Sequence, residues 1–255
     1  ALLVAASAPI GAWSMSGLEV PLIAAILMAL VAAYQRESRR ATVLPASALV
    51  LAAGVMTRPE MNLIAGVTGA FFLGQAIVER DGRRWRHFAM FAAAFALIAG
   101  GWFLWRWSYY GYIFPNTYYA KVGPVDLMFE RGFDYVWGYA WSLLLLPALA
   151  ACGLLPFIMR GAARRDAALI AAIAWGWALA VIYEGGDGFF RARFLAPMLP
   201  VAYIGLVACG AELAGRLRLA PLAVSGGIAA GVVAAAVFLA SSSGEDTLLE
   251  VNQRT

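Results

Sequence analysis

The sequence predicts an all-α protein, a polytopic bundle of transmembrane helices. Of its 255 residues, 63% are hydrophobic and only 13% are charged, which is typical of an integral membrane protein. The apolar residues form long runs rich in Leu, Ala, Ile and Trp, without the two-residue alternation of membrane barrel strands. Short charged segments separate these runs. We therefore expect helices whose backbone polar groups are satisfied within each span.

A helix needs about 20 residues to cross a hydrocarbon core of about 30 Å. Eight apolar stretches, some of them short, come close to this length. In chain order they are approximately 18–34, 43–57, 61–78, 88–105, 139–159, 167–183, 194–213 and 221–240. Ala1–Ile10 resembles the tail of a further span, and we expect an N-terminal part to precede it. We expect residues 1–240 to form one transmembrane helical domain and residues 241–255 to form an outer-side tail.

Basic residues concentrate on one side of the predicted bundle. The segments after the first, third, fifth and seventh spans carry twelve arginines: Arg36, Arg39, Arg40, Arg80, Arg83, Arg84, Arg86, Arg160, Arg164, Arg165, Arg216 and Arg218. By the positive-inside rule these segments are cytoplasmic, which predicts a multi-pass protein of the cytoplasmic (inner) membrane. The outer segments mix acidic, basic, aromatic and glycine residues. We therefore expect any chemistry on the outer face.

Two outer segments place charged residues at the ends of predicted spans. Glu19 either binds a sugar or acceptor, or is a charge favoured by the helix dipole with Ser16 as the N-cap. The break Arg58-Pro59-Glu60 puts two charges at membrane depth, where they are unfavourable unless paired or used. Arg58 and Glu60 therefore either form an ion pair that holds a hairpin, or bind a ligand. In the second case Arg58 binds phosphate and Glu60 orders the phosphate or a sugar hydroxyl.

The third outer segment, residues 106–121, is rich in Tyr and Trp. Such residues commonly form an anchoring belt at the membrane interface. A second interpretation is a sugar or acceptor platform made by Asn116, Tyr118 and Tyr119, with Lys121 offering a point charge for phosphate. The sequence leaves both interpretations open.

The fourth segment, residues 184–195, carries carboxylates, glycines and arginines between two apolar stretches. The glycines allow close approach of a ligand or an unusual turn. One carboxylate suits a general base or the stabilisation of a developing cation, and the arginines suit a phosphate clamp. The arginines share one side only if the segment is extended; in a helix they diverge by about 200°. The alternative is a loop of anchoring charges. The residues concerned are Glu184, Gly185, Gly186, Asp187, Arg191 and Arg193.

Several functional classes are disfavoured. The single histidine, His87, falls in a predicted cytoplasmic loop, which argues against Ser-His-Asp catalysis and a histidine-rich metal centre. No Walker-type glycine loop supports ATP-driven transport. Cys152 and Cys209 lie inside predicted spans, so a disulfide framework is not expected. We predict no cofactor, with a divalent metal left open but without a cluster of ligands, and no nucleic-acid partner, because topology accounts for the excess of arginine.

In this order, the four segments resemble bacterial GT-C-type polyprenyl-phosphate-dependent glycosyltransferases, in particular the mycobacterial terminal arabinofuranosyltransferase family. The resemblance covers roughly residues 13–200. Its pieces are Ser16–Glu19, Arg58–Glu60, Phe114–Lys121, Gly185–Asp187, Arg193–Pro197 and Leu199–Pro200. It implies a GT-C-like fold and transfer of a pentose or hexose from a polyprenyl-phosphate donor to a cell-envelope glycan, lipid or protein acceptor outside the membrane. Family members usually carry an essential acidic residue in their first outer loop. We expect this chain to begin after that point, which leaves Asp187 and Glu60 as candidate catalytic residues.

The charge pattern fits such a reaction. Arginine and lysine at headgroup depth stabilise the charge that grows on a lipid-phosphate leaving group, while carboxylates stabilise a cationic sugar or deprotonate an acceptor. We expect five residues to converge on one outer-face cavity: Arg58, Glu60, Lys121, Asp187 and Arg193. We also expect Arg193 to lie at the exposed rim. The alternatives are a lipid-linked-sugar transporter or flippase, whose cavity opens to both faces, and a structural membrane subunit.

Overall fold

The computed structural model describes residues 1–39, 45–112, 125–188 and 191–217, with the backbone alone at 125 and 126. It also describes seven isolated positions: Gly227, Ala230, Gly231, Val233, Ala234, Val237 and Phe238. All regular structure in these residues is helical, which confirms the all-α class. The predicted tail 241–255 lies outside the described residues. So does the predicted last span, 221–240, except for the seven isolated positions.

The described residues form a series of α-helices. Their bounds are α1 Leu2–Ala6, α2 Ala8–Ser14, α3 Val20–Arg39, α4 Ala46–Thr57, α5 Met61–Glu79, α6 Gly82–Tyr110, α7 Val125–Gly138, α8 Leu145–Ile158, α9 Gly161–Tyr183 and α10 Leu199–Arg216. A π-helical turn, Ala96–Gly100, interrupts α6, and a 3₁₀ turn, Ala196–Met198, leads into α10. Within the described part of the chain, α3, α5, α6, α9 and α10 with its 3₁₀ turn are long and apolar enough to cross a membrane. Five of the eight expected spans thus correspond to helices of this kind in the described residues, and the count of eight stays a prediction.

Two predicted spans are shorter than expected. Helix α4 has 12 residues and begins after Pro45, so it rises only ~18 Å, less than a hydrocarbon core of about 30 Å. Helix α8 has 14 residues because the chain before it turns, with Leu144 in the left-handed region at φ 51°. The carbonyl of Leu143 in this turn accepts a hydrogen bond of 2.9 Å from the Tyr203 hydroxyl. Composition did not reveal the turn, because a buried turn is as apolar as a helix.

Ion pairs join three of the predicted cytoplasmic segments at one end of the bundle. Arg39 lies 3.3 Å from Asp166, and Glu79 binds both Arg84 at 2.8 Å and Arg165 at 3.6 Å. The ends of α3 and α5 and the starts of α6 and α9 therefore lie together, as the charge pattern predicts. Their cytoplasmic orientation stays a prediction.

The histidine is not in a loop, contrary to expectation. Helix α6 begins at Gly82, so His87 lies within it, and its ring packs 4.8 Å from that of Phe72, centroid to centroid. His87 Nε2 lies 2.8 Å from the buried carboxylate of Glu37, which also accepts hydrogen bonds from the backbone N–H and the hydroxyl of Ser47. The apolar stretch 88–105 predicts only the membrane-like part of a longer helix. This polar contact joins α3, α4 and α6.

Helix α9 is the centre of the bundle and α6 lies at its periphery. In α9, 61% of the most apolar 18-residue stretch is buried, and the side chain of Trp177 is almost completely enclosed. It contacts α3, α5, α7, α8 and α10. In α6 only 11% of the corresponding stretch is buried. One long wall of the bundle is therefore exposed to the surroundings that a bilayer would provide.

Candidate functional site

The break between α4 and α5 contains a buried arginine held by two carboxylates. Arg58 has an extended backbone after α4, and Pro59 follows it, which ends the helix. Its Nε donates to Glu60 Oε2 at 3.0 Å, its Nη2 donates to Glu60 Oε1, and its Nη1 donates to Glu19 Oε1 at 3.0 Å. Arg58 and Glu60 are both 7% exposed. The ion pair considered from the sequence is present, and it extends to a carboxylate 39 positions earlier.

This arrangement keeps Arg58 charged. Burial alone lowers the pKa of Arg58, but the hydrogen bonds and charge of Glu60, with the charges of Glu19 and Glu184, outweigh it and raise the pKa above its usual value. Glu184, a predicted sugar or acceptor ligand, is thus close enough to act on Arg58. One guanidinium lies between two carboxylates, so the triad carries an excess of negative charge. That balance suits a cationic or hydroxyl-bearing group better than a phosphate.

The expected capping role of Ser16 is wrong. Helix α3 begins at Val20, and the carbonyl of Glu19 accepts the first helical hydrogen bond, from Ile23 N–H at 2.9 Å. The hydroxyl of Ser16 donates to the carbonyl of Trp13 at 2.8 Å and accepts from Leu18 N–H at 3.3 Å, so it shapes the preceding turn. Glu19 itself precedes the helix, and its side chain is directed to Arg58.

A second ion pair lies in the predicted ligand loop. Arg193 Nε donates to Asp187 Oδ2 at 2.7 Å and Arg193 Nη2 donates to Asp187 Oδ1 at 3.1 Å, the bidentate geometry of a strong pair. The side chains are 13% and 5% exposed, respectively. The Arg193 guanidinium also lies 5.8 Å from the ring centroid of Trp13. The expectation of an arginine at the exposed rim is therefore wrong, because the loop folds back into the bundle.

Indole groups hold that loop in an unusual backbone conformation. Arg191 and Ala192 are both left-handed, at φ 58° and 47°, which is unfavourable for residues other than glycine. The Trp13 indole N–H donates to the carbonyl of Arg191 at 2.9 Å, and the Trp177 indole N–H donates to that of Phe194 at 2.7 Å. The segment is thus neither the extended strand nor the helix considered from the spacing of its arginines.

The two ion pairs meet at one aromatic ring. The Arg58 guanidinium carbon lies 4.9 Å from the ring centroid of Phe194, and that of Arg193 lies 5.1 Å from the same centroid. We call the set Glu19, Arg58, Glu60, Asp187, Arg193 and Phe194 the ion-pair cluster. Four of the five residues predicted to converge, Arg58, Glu60, Asp187 and Arg193, thus lie together, and their convergence with Lys121 on one outer-face cavity stays a prediction. The remaining predicted ligands, Asn116, Tyr118, Tyr119 and Lys121, lie outside the described residues.

The glycines of the loop accommodate protein neighbours. Gly185 and Gly186 have φ of 81° and 69°, and a Cβ on Gly186 would lie 2.6 Å from Cβ of Tyr135 in α7. The Tyr135 hydroxyl accepts a hydrogen bond of 3.4 Å from Phe194 N–H. Burial, then the charges of Tyr139 and Asp187, raise the pKa of Tyr135, which keeps its hydroxyl neutral. The close approach predicted from the glycines is therefore made by α7.

A cleft opens beside the cluster. It lies between the α4–α5 break and one side of α6, with a volume of about 130 Å³, and its lining is Val55, Met56, Thr57, Arg58, Pro59, Asn62, Trp102, Phe103 and Arg106. The Arg106 guanidinium lies 5.3 Å from the ring centroid of Trp102, one helical turn earlier. Arg193 and Asp187 do not line this cleft, which therefore adjoins the cluster and does not enclose it.

Arg106 was not among the predicted site residues. A signal for it existed in the sequence, because Trp102 and Arg106 are four residues apart and therefore share one helix face. In the described ranges, which omit residues 113–124, no three His, Cys, Asp or Glu side chains are grouped to hold a metal ion. Cys152 and Cys209 are buried and are not bonded to each other.

Comparison of the chain with family models, with curated proteins and with solved structures gave no match.

Proposed function

We propose that this protein is a membrane glycosyltransferase that transfers a sugar from a polyprenyl-phosphate donor to an acceptor at the outer face of the cytoplasmic membrane. The observation that supports this most is the ion-pair cluster: two arginines that contact one phenylalanine ring and are paired with three carboxylates, at the end of an apolar helical bundle. Buried charges are rare in membrane proteins and commonly mark substrate sites. The four-segment resemblance supplies the reaction class.

The reaction is a substitution at the anomeric carbon of the donor sugar. The acceptor oxygen forms a bond to C1 as the C1–O bond to the phosphate breaks, and the phosphate leaves with the bonding electrons as polyprenyl phosphate. The acceptor proton passes to a carboxylate. Cationic side chains stabilise the leaving phosphate, and carboxylates stabilise positive charge on the sugar.

The three carboxylates differ in burial and in hydrogen bonding, and we assign them different roles on this basis. Asp187 and Glu60 are enclosed, and both oxygens of each are bound to one arginine, so we assign them the positioning of Arg193 and Arg58. The Glu19 side chain is 36% exposed and binds Arg58 through one oxygen. Glu19 is therefore the best placed of the three to meet a substrate, and we assign it the role of base or sugar ligand.

The test is transfer from radiolabelled polyprenyl-phosphate pentose and hexose donors to cell-envelope acceptors by the purified full chain. Glu19→Gln should lower kcat by about 10²–10⁴-fold with little change in the donor KM, the usual effect of losing a general base. Glu130→Gln, an exposed acidic residue on α7, is the matched control and should retain wild-type activity. Failure of the wild type to release polyprenyl phosphate from either donor class would contradict the proposal. Passage of intact donor across vesicles without that release would favour the transporter alternative.

A further inference from the structure

The cleft is recessed relative to the neighbouring helix end. Helices α3 and α4 are joined at one end by Glu37 and Ser47, and at the other by Glu19 and Arg58. Between these contacts α3 rises ~27 Å and α4 only ~17 Å. The long Arg58 side chain bridges the difference by reaching toward Glu19. The α4–α5 break therefore forms the floor of a depression, and α6 forms one wall.

Arg106 supplies the net positive charge at the lining of this depression. Among the described residues, the lining includes Arg58 and Arg106 and no carboxylate, and the charge of Arg58 is already balanced by Glu60 and Glu19. Arg58 uses three of its five N–H donors on Glu60 and Glu19. No carboxylate oxygen lies within 4 Å of the Arg106 nitrogens in the part of the chain that the structure describes. Arg106 is half-buried on Trp102, so its charge points to an anionic ligand.

The surroundings of the cleft indicate a lipid. The α6 wall is peripheral, and three apolar side chains adjacent in sequence to its cleft residues are more than half exposed: Leu104, Trp105 and Trp107. The cleft is smaller than the roughly 300–1,000 Å³ of pockets that enclose a drug-sized ligand. It accommodates a headgroup whose chain remains in the surrounding hydrocarbon.

We propose that this cleft binds the phosphate of a lipid, with Arg106 as its principal contact and Arg58 as the link to the ion-pair cluster. The identification of that lipid as the polyprenyl-phosphate donor or product rests on the proposed function. The arrangement separates two tasks, because Arg106 binds the leaving phosphate while Glu19, on the other side of Arg58, meets the sugar or acceptor.

The experiment measures binding of farnesyl phosphate to the full chain in dodecyl maltoside micelles, which carry no phosphate, by titration calorimetry. Farnesol and inorganic phosphate are the comparison probes, and both should bind at least ~10-fold more weakly. Arg106→Gln should weaken farnesyl phosphate binding at least ~10-fold, and Arg106→Lys should restore only part of it, because an ammonium cannot form a bidentate contact. The control Arg131→Gln removes an exposed arginine on α7 and should leave the affinity within about twofold.

Wild-type affinity in Arg106→Gln, or an equal loss in Arg131→Gln, would overturn the proposal, as would equal binding of farnesol or of inorganic phosphate. If Arg106→Gln does not fold, protection of Arg106 from phenylglyoxal by farnesyl phosphate, read by mass spectrometry on the unaltered chain, tests the same contact; lack of protection overturns it. The transfer assay separates the two proposals. A wild-type donor KM in an active Arg106→Gln enzyme contradicts this site alone, whereas Arg106-dependent binding without transfer by the wild type contradicts the glycosyltransferase alone.

Discussion

Replacing Arg193 by alanine should destabilise the protein substantially. The substitution removes both hydrogen bonds to Asp187 and leaves that carboxylate, whose side chain is 5% exposed, without its cation. It also removes the guanidinium from beside the rings of Trp13 and Phe194. An isolated buried charge is far less favourable than a buried pair. Arg193, which the sequence predicts as a phosphate ligand at the exposed rim, is therefore a structural residue as well.

The expected loss is roughly 3–5 kcal/mol, the range for removing one partner of a buried ion pair. For a chain of this size that corresponds to a decrease in Tm of roughly 6–20 °C. The double variant Asp187→Asn with Arg193→Gln removes both charges but leaves hydrogen-bonding side chains. It should recover most of the loss, because the single variant's main penalty is the unpaired carboxylate.

The assay is thermal unfolding in detergent of Arg193→Ala and of the four proteins of the double-mutant cycle, which are the wild type, Asp187→Asn, Arg193→Gln and the double variant. Arg131→Ala is the exposed control. Arg131→Ala should change the free energy of unfolding by less than about 0.5 kcal/mol. If Arg193→Ala unfolded at the wild-type temperature, or if the two single changes were simply additive, Arg193 and Asp187 would not form a buried pair. The cycle also identifies which variants are folded enough for transfer assays.

Two further predictions concern packing and orientation. A Cβ on Gly132 would overlap the backbone of α9, so Gly132→Ala should lower the free energy of unfolding by roughly 1–3 kcal/mol. Gly74 has open space around it, so Gly74→Ala should raise the free energy of unfolding by roughly 0.5–1 kcal/mol through helix propensity. Equal unfolding temperatures of the two variants would contradict the α7–α9 contact. In intact cells, a cysteine at Glu130 should react with an impermeant maleimide and one at Arg83 should not, because the arginine-rich end is predicted to be cytoplasmic. The reverse pattern would invert the topology.

Uninterrupted apolar runs with clear boundaries were predictable from sequence. Helix α5, Met61–Glu79, matches the predicted span 61–78 closely, because Pro59 ends the preceding helix and the break ends before Met61. Span length failed where the chain turns inside apolar surroundings, as before α8. There a tyrosine hydroxyl from α10 satisfies a turn carbonyl, and no local pattern reports a partner so distant in sequence.

The candidate site was predictable only in its parts. The contact between Arg58 and Glu60 follows from their spacing of two residues, and it was one of the two interpretations considered. The contact of Arg58 with Glu19 and the shared Phe194 ring depend on how α3, α4 and the 191–195 segment pack together. Likewise, the burial of Arg193 depends on indole groups of α2 and α9 that bind the loop backbone. Helix packing determines these contacts, and charge pattern alone does not.

The ion-pair cluster also bears on the alternative of a purely structural subunit. Replacing a buried ion pair by well-packed apolar side chains is often neutral or stabilising, so stability alone gives little reason for two such pairs around one ring. The same segment holds Arg191 and Ala192 in left-handed conformations, each unfavourable by roughly 1–3 kcal/mol. Both features orient charged groups at a cost to stability. Their coincidence beside a cleft whose described lining includes Arg106 and no carboxylate favours a ligand site over a scaffold.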